Sequence, residues 1–359
     1  MVEADPRSGV SDAAASRVPP RPLGPTEEWP VPYETIEGQD GSLVARLQYW
    51  VVRAALATAS RTPEVVLGPF LRGLARVSTW VDKRHTAAAR EFLAQAMPGL
   101  EPTELERRVR KAYEHLFRVV VESDQFVRRV PLTETFEHFD FEICDAAWDN
   151  LEGEQGMVLI TPHIGNWEVA SVAVSRLGWQ PLYAVAKPAK NAFVSRAMQA
   201  ERERRGMRIL PRRGAMAGAP KVLSAGGTYG MLLDQRARTR PVMAPFFGRM
   251  ARCDRSVGVL LKRLNAPLIF LACYRDERRP MHFRFVIDKV VQPEEVRGLS
   301  SEAISTMINA EFERMIRVAP EQYFWIHDRF RDTPFEAAPT PADSDVHASG
   351  SNDASPPEA

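Results

Sequence analysis

The chain has 359 residues, 45% of them apolar, enough for one large globular domain or two moderate ones. Lys and Arg number 47 against 46 Asp and Glu, so a formal charge of +1 gives no global field that would point to nucleic acid. The three cysteines, Cys144, Cys253 and Cys273, are far apart and form no CxxC pair, so neither a zinc site nor a disulfide framework is suggested, and no metal is expected.

Residues 1–40 are rich in Pro, Ser, Ala and Glu and lack periodicity, which predicts a disordered N-terminal arm. Glu3 and Asp5, with no apolar run after them, do not read as a secretory signal. Residues 41–334 read as a single domain, with a helical part over 41–126 and an α/β part over 127–334. Within 63–82, Leu67, Phe70, Leu71, Leu74, Val77 and Val81 recur at helical spacing, with Arg72 and Arg76 between them. The preceding segment carries Leu47, Tyr49, Trp50, Val51, Val52 and Leu56, broken by Arg46 and Arg53. Basic, aromatic-bearing amphipathic helices suit a membrane surface and suit the flank of a folded domain equally well. No uninterrupted apolar run reaches about 18 residues, so no spanning helix is expected.

From about 155 the pattern alternates. Strands are expected at 156–162, 181–187, 207–211, 229–234, 268–274 and 282–290, and helices at 167–177, 191–205, 216–225, 254–264 and 301–318. Asn166 is placed to cap the first of these helices, and Gly178 and Gly206 follow helix ends. The alternation predicts an α/β fold with a largely parallel central sheet flanked by helices. The tail from 335 to 359, with four prolines among Ser, Asp and Ala, reads as disordered.

The densest chemical signal is Thr161-Pro162-His163-Ile164-Gly165-Asn166-Trp167-Glu168, where a strand ends and a helix begins. Sites in open α/β sheets lie at that edge. Histidine is a good general base near neutral pH, and a carboxylate five residues on, across a turn, can bond its other ring nitrogen. His163 and Glu168 are therefore the expected base and orienting acid, with a substrate hydroxyl as nucleophile. Neither a GxSxG elbow nor a GxGxxG or GxxxxGK[ST] loop is present, so a serine hydrolase or a nucleotide enzyme is not suggested. Residues 187–213 hold nine basic side chains against two acidic ones, a patch suited to phosphate. Asp234 and Gln235 close another strand and reach the same sheet edge, and Pro245-Phe246-Phe247-Gly248 reads as a compact aromatic turn.

Taken in order, HIGNWE at 163–168, KPAKN at 187–191, ERERRG at 201–206, GGTYGMLLDQ at 226–235, PFFG at 245–248, NAPLIF at 265–270 and PEQYFWIHDRF at 320–330 resemble the bacterial lipid A biosynthesis acyltransferases. These are the late, lauroyl- and myristoyl-type enzymes of lipopolysaccharide assembly. The resemblance runs from about 45 to 331. It implies an O-acyltransferase of the HxxxxD/E type, with His163 as base and Glu168 as its partner. It also implies that Asn166, Lys187, Asn191, Arg202 and Arg205 hold polar or phosphorylated parts of the acceptor, and that Asp234 and Gln235 shape the site. The implied donor is an acyl thioester, on acyl carrier protein or coenzyme A, with no cofactor. The implied acceptor is a membrane glycolipid, a lipid A precursor first and another glycolipid or phospholipid second. Its implied place is the cytoplasmic face of the inner membrane, and Arg46 and Arg53 make the attachment peripheral or shallow. A thioesterase and a non-catalytic lipid-binding scaffold are the competing functions on the same fold.

Overall fold

The structure is a computed structural model, and it describes residues 29–31, 38–152, 156–179, 181–212, 214–333 and 335. Among the described residues four helices come first: α1 (Leu43–Ala59), α2 (Glu64–Val81), α3 (Lys83–Ala96) and the long α4 (Pro102–Arg129). Ser42 caps α1 through its side chain, and Pro102 opens α4 at a position where its missing N–H costs nothing. The buried face of α4 includes Val109, Ala112, Val119 and Phe126, and α2 packs on it through Leu67, Leu71 and Val121.

The α/β body follows in the order β1 (Phe139–Ile143), α5 (Asp145–Glu152), β2 (Met157–Thr161), α6 (Trp167–Arg176), β3 (Leu182–Ala186), α7 (Ala192–Arg204), β4 (Met207–Pro211), α8 (Ala215–Ser224) and β5 (Thr228–Leu232). The hairpin β6 (Val242–Phe246) and β7 (Arg249–Cys253), α9 (Arg255–Leu264), β8 (Leu268–Arg275), β9 (Phe283–Val291), α10 (Pro293–Val296) and α11 (Ser301–Val318) complete it. Seven strands form the central sheet in the order β1-β9-β8-β2-β5-β3-β4, parallel except between β8 and β9. The expected α/β class and largely parallel sheet are what the chain forms.

The sheet is buried on both faces because its central strands are continuously apolar. Alternation sends Val158, Ile160, Leu268 and Phe270 to one core, and Met157, Leu159, Ile269 and Leu271 to the other.

Three features depart from the sequence reading. Strand β1 was missed, since five residues with Asp140 and Glu142 facing outward carry a weak apolar signal. The aromatic turn is a hairpin: Pro245 and Phe246 belong to β6, and Phe247 and Gly248, both at positive φ, make its two-residue turn. Parts of the N-terminal arm pack on the body. The Tyr183 hydroxyl donates to the Val31 carbonyl at 2.6 Å, the Arg208 guanidinium lies 5.0 Å over the Trp29 ring, and Asp40 bridges Asn191. The rest of the arm and nearly all of the tail expected to be disordered lie outside the described residues.

Candidate active site

Strands β2 and β5 are neighbours, with Thr161 level with Leu232. His163 and Asp234 each lie two residues further along, so parallel pairing alone brings them to the same height above the sheet. The loop carrying His163 is fixed on both sides. The Gly165 N–H donates to the Gln322 carbonyl at 3.0 Å, the Asn166 N–H to the Cys273 carbonyl at 2.7 Å, and the Phe324 N–H to the His163 carbonyl at 3.0 Å. Gly165 has φ +57°, and a Cβ there would stand 1.9 Å from the Cys273 oxygen, so this crossing admits only glycine.

One carboxylate grips His163 twice. The His163 N–H donates to Asp234 Oδ2 at 2.9 Å, and the ring Nδ1 lies 2.6 Å from Asp234 Oδ1. An ionised carboxylate only accepts, which assigns the ring proton to Nδ1. Nε2 then carries a lone pair, and the Gln235 amide donates to it at 3.2 Å. Burial pushes the Asp234 carboxyl up, but the charge and hydrogen bonds of His163 outweigh it and hold the pKa below its ordinary value. Trp167 and Phe324 pack on the imidazole at ring distances of 5.1 and 5.8 Å. Chemically this is a base with one ring nitrogen held by a buried acid and the other open to a hydroxyl proton once the Gln235 amide gives way.

The carboxylate on His163 is thus Asp234, which corrects the expectation that Glu168 would bond the imidazole. The ring is turned toward β5 because its own backbone N–H is held by the same carboxylate. Glu168, in the first turn of α6, instead receives the Arg202 guanidinium from α7 at 2.6 and 3.2 Å. Burial raises the Glu168 pKa, and the Arg202 charge and hydrogen bonds bring it below its ordinary value.

Three further residues expected to touch substrate are committed elsewhere. Asn166 is 0% exposed and caps α6. Asn191 caps α7 and donates to the Ala45 carbonyl, tying α1 to the body at 2.7 Å. Arg205 is buried and donates to the Ser123 carbonyl at 3.1 Å. Asn166 and Asn191 are claimed by the helix starts beside them, whereas the bonds of Asn191 to Ala45 and of Arg205 to Ser123 join residues far apart in the chain, which spacing cannot reveal. The basic segment is divided likewise: Arg204 and Arg205 pair with Glu201, and Arg208 with Glu203. Arg213 lies outside the described residues.

Lys187 and Gln235 do line a cavity of about 1190 Å³. His163 stands behind Gln235 and Phe324 on its wall. One part of the wall is apolar, with Val77 and Val81 from α2 and Leu116 and Phe117 from α4; another is cationic, with Lys187, Lys190, Arg212, Arg236 and Arg238. Sequence reasoning missed His327, which also lines the cavity and accepts the Arg236 N–H on Nε2 at 3.2 Å. The segment 320–330 had been singled out as a motif with no role for this residue.

Comparison with known proteins identifies the family. A family model described as bacterial lipid A biosynthesis acyltransferase matches residues 39–332. The chain is also 30% identical over 142 residues to a phosphatidylinositol mannoside acyltransferase of Mycolicibacterium smegmatis, a match covering 38% of this chain and 46% of the relative. The chain thus spans about half the length of that curated relative.

Proposed function

The chain belongs to the family of bacterial lipid A biosynthesis acyltransferases, and on that premise we propose that it moves a fatty acyl group from a thioester to a hydroxyl of a membrane glycolipid. The observation that carries this reading is the Asp234–His163 pair, whose Nε2 meets only the Gln235 amide, directly behind a cavity lined by both apolar and cationic side chains. His163 removes the acceptor hydroxyl proton, the oxygen attacks the thioester carbonyl, and the thiolate leaves with that proton. Positioning and base catalysis suffice, because a thioester is already an activated acyl group.

The donor is acyl carrier protein or acyl-coenzyme A. Both are anionic and suit the cationic wall. The first acceptor to test is a lipid A precursor, as the family description suggests. A mannosylated phosphatidylinositol is the second, favoured by the name of the Mycolicibacterium relative. Membrane attachment is peripheral and cytoplasmic, through α1 and α2. Among the described residues no helix is long and apolar enough to cross a membrane, yet Leu43, Leu47, Trp50, Val65, Phe70 and Trp80 stand exposed on these two helices.

The test is a transfer assay with labelled acyl-carrier protein and acyl-coenzyme A against both acceptors, with His163→Ala as control. Label reaching a lipid only when His163 is intact supports the proposal. Label released as free acid in the presence of every acceptor would replace it with a thioesterase.

A further inference from the structure

His327 lines the cavity that Gln235 and Arg236 also line. His327 packs against Phe324 at 6.3 Å between ring centres, and Phe324 also contacts the His163 ring at 5.8 Å. The Gln235 side chain meets His163, and the next residue's N–H meets His327. Accepting that N–H on Nε2 assigns the ring proton of His327 to Nδ1. Nδ1 has no hydrogen-bond partner among the described residues. A residue that lines the cavity therefore holds an N–H donor with no acceptor among the described residues, and Phe324 contacts both its ring and that of the base.

We propose that His327 is a catalytic residue that donates its Nδ1–H hydrogen bond to the thioester carbonyl oxygen as negative charge develops there. This rests on the acyl-transfer reading above. In the step, His163 Nε2 takes the acceptor proton while the hydroxyl oxygen bonds the carbonyl carbon. The C=O π pair moves onto oxygen, where His327 Nδ1–H bonds it without giving up its proton. Collapse re-forms the C=O bond and expels the thiolate, which takes the proton from His163. A donor held in place before charge develops lowers the barrier more than a mobile water would, because it costs no reorganisation at the moment of reaction. Neutrality suits the role. An imidazolium here would repel His163 as that ring becomes charged, and burial together with the neighbouring cations keeps the His327 pKa down at about 4, against the partial pull of Asp234.

The test separates the donor from the structural contact. His327→Ala removes both. His327→Asn puts an amide N–H near the place of Nδ1 and cannot reach the Arg236 N–H. His327→Gln puts an amide oxygen near the place of Nε2 and leaves no donor at Nδ1. With palmitoyl-coenzyme A or palmitoyl-acyl carrier protein, whichever the wild type uses, the expected result for Ala is a loss of kcat on the order of 10²–10³-fold with little change in either KM. Asn restores most of the rate and Gln does not. Rescue by Gln and not by Asn shows a structural role and overturns the proposal, as does an Ala variant with unchanged kcat. A raised acceptor KM with kcat intact reassigns His327 to acceptor binding and equally overturns it. Thermal unfolding of each variant identifies any that fail to fold. Should the wild type transfer no acyl group to any lipid, the acyl-transfer reading fails first, and that is visible before any variant is compared.

Discussion

At the scale of single residues, the site turns on which carboxylate holds which cation. Asp234→Asn keeps the shape but offers Nδ1 an amide that can also donate, so the imidazole loses its enforced tautomer. The expected loss in kcat is on the order of 10³–10⁴-fold, with the melting temperature nearly unchanged. Glu168→Gln acts differently. It strips Arg202 of its counter-charge while both side chains are mostly buried, at 15% and 22% exposure for Arg202 and Glu168. The expected outcome is a lower melting temperature and a smaller loss of kcat than for Asp234→Asn. Measuring both variants by calorimetry and by turnover checks the ranking, and the reverse order would restore Glu168 as the partner of the base. His327 supplies a pH signature. Its folded pKa of about 4 lies below the ordinary 6.5, so between these values the unfolded chain binds more protons than the folded one. That contribution to stability is fully present above pH 6.5 and is lost as the pH falls toward 4, with a slope approaching about 1.4 kcal/mol per pH unit. Urea unfolding at several pH values between 7 and 4 should show the slope in the wild type and a reduced one in His327→Gln. Identical slopes would mean that the ring is not held neutral.

At the scale of elements, α1 and α2 show how far an amphipathic pattern can be read. The apolar spacing located both helices, but the same spacing serves a core and a membrane. The structure divides it. Leu67 and Leu71 are buried against α4, whereas Phe70 and Trp80 are 62% and 76% exposed on the same helix. Leu71→Ala is therefore expected to cost about 2–4 kcal/mol of stability. Phe70→Glu with Trp80→Glu should leave thermal unfolding nearly unchanged and release the protein from vesicles in a sedimentation assay. Retained vesicle binding in the double variant would move the membrane face elsewhere. The central strands and the longer helices of the α/β body were legible because each strand is a nearly continuous apolar run and each helix is strongly periodic. Strand β1 was not, because Asp140 and Glu142 interrupt its apolar run. The pairing of His163 with Asp234 was not legible either. Both residues were placed at the sheet edge, but strand order is a tertiary fact, and only the adjacency of β2 and β5 brings residues 71 positions apart into contact.

At the scale of the whole molecule, a nearly neutral chain builds a cavity with a polarised wall. The balance of 47 basic and 46 acidic residues hides it, because most arginines in the basic segment are spent on ion pairs with nearby glutamates. Lys187 and Lys190 are different. Both are exposed at the cavity, and neither pairs with a carboxylate among the described residues. In the same cavity wall, Val77 and Val81 end the apolar ridge of α2. This arrangement fits an amphipathic substrate whose anionic head meets the lysines while its chains stay with the apolar surface. Exposed charges act mainly through long-range attraction, which salt screens over about 8–10 Å. Lys187→Glu with Lys190→Glu should therefore raise the KM for a phosphorylated acceptor on the order of tenfold at low salt, leave kcat within a small factor, and flatten the dependence of kcat/KM on ionic strength. An acceptor lacking phosphate should be nearly indifferent to both substitutions. If instead the KM for the acyl donor rises and that for the acceptor does not, the cationic wall belongs to the donor, and the acceptor head must lie on the side of Gln235 away from the lysines.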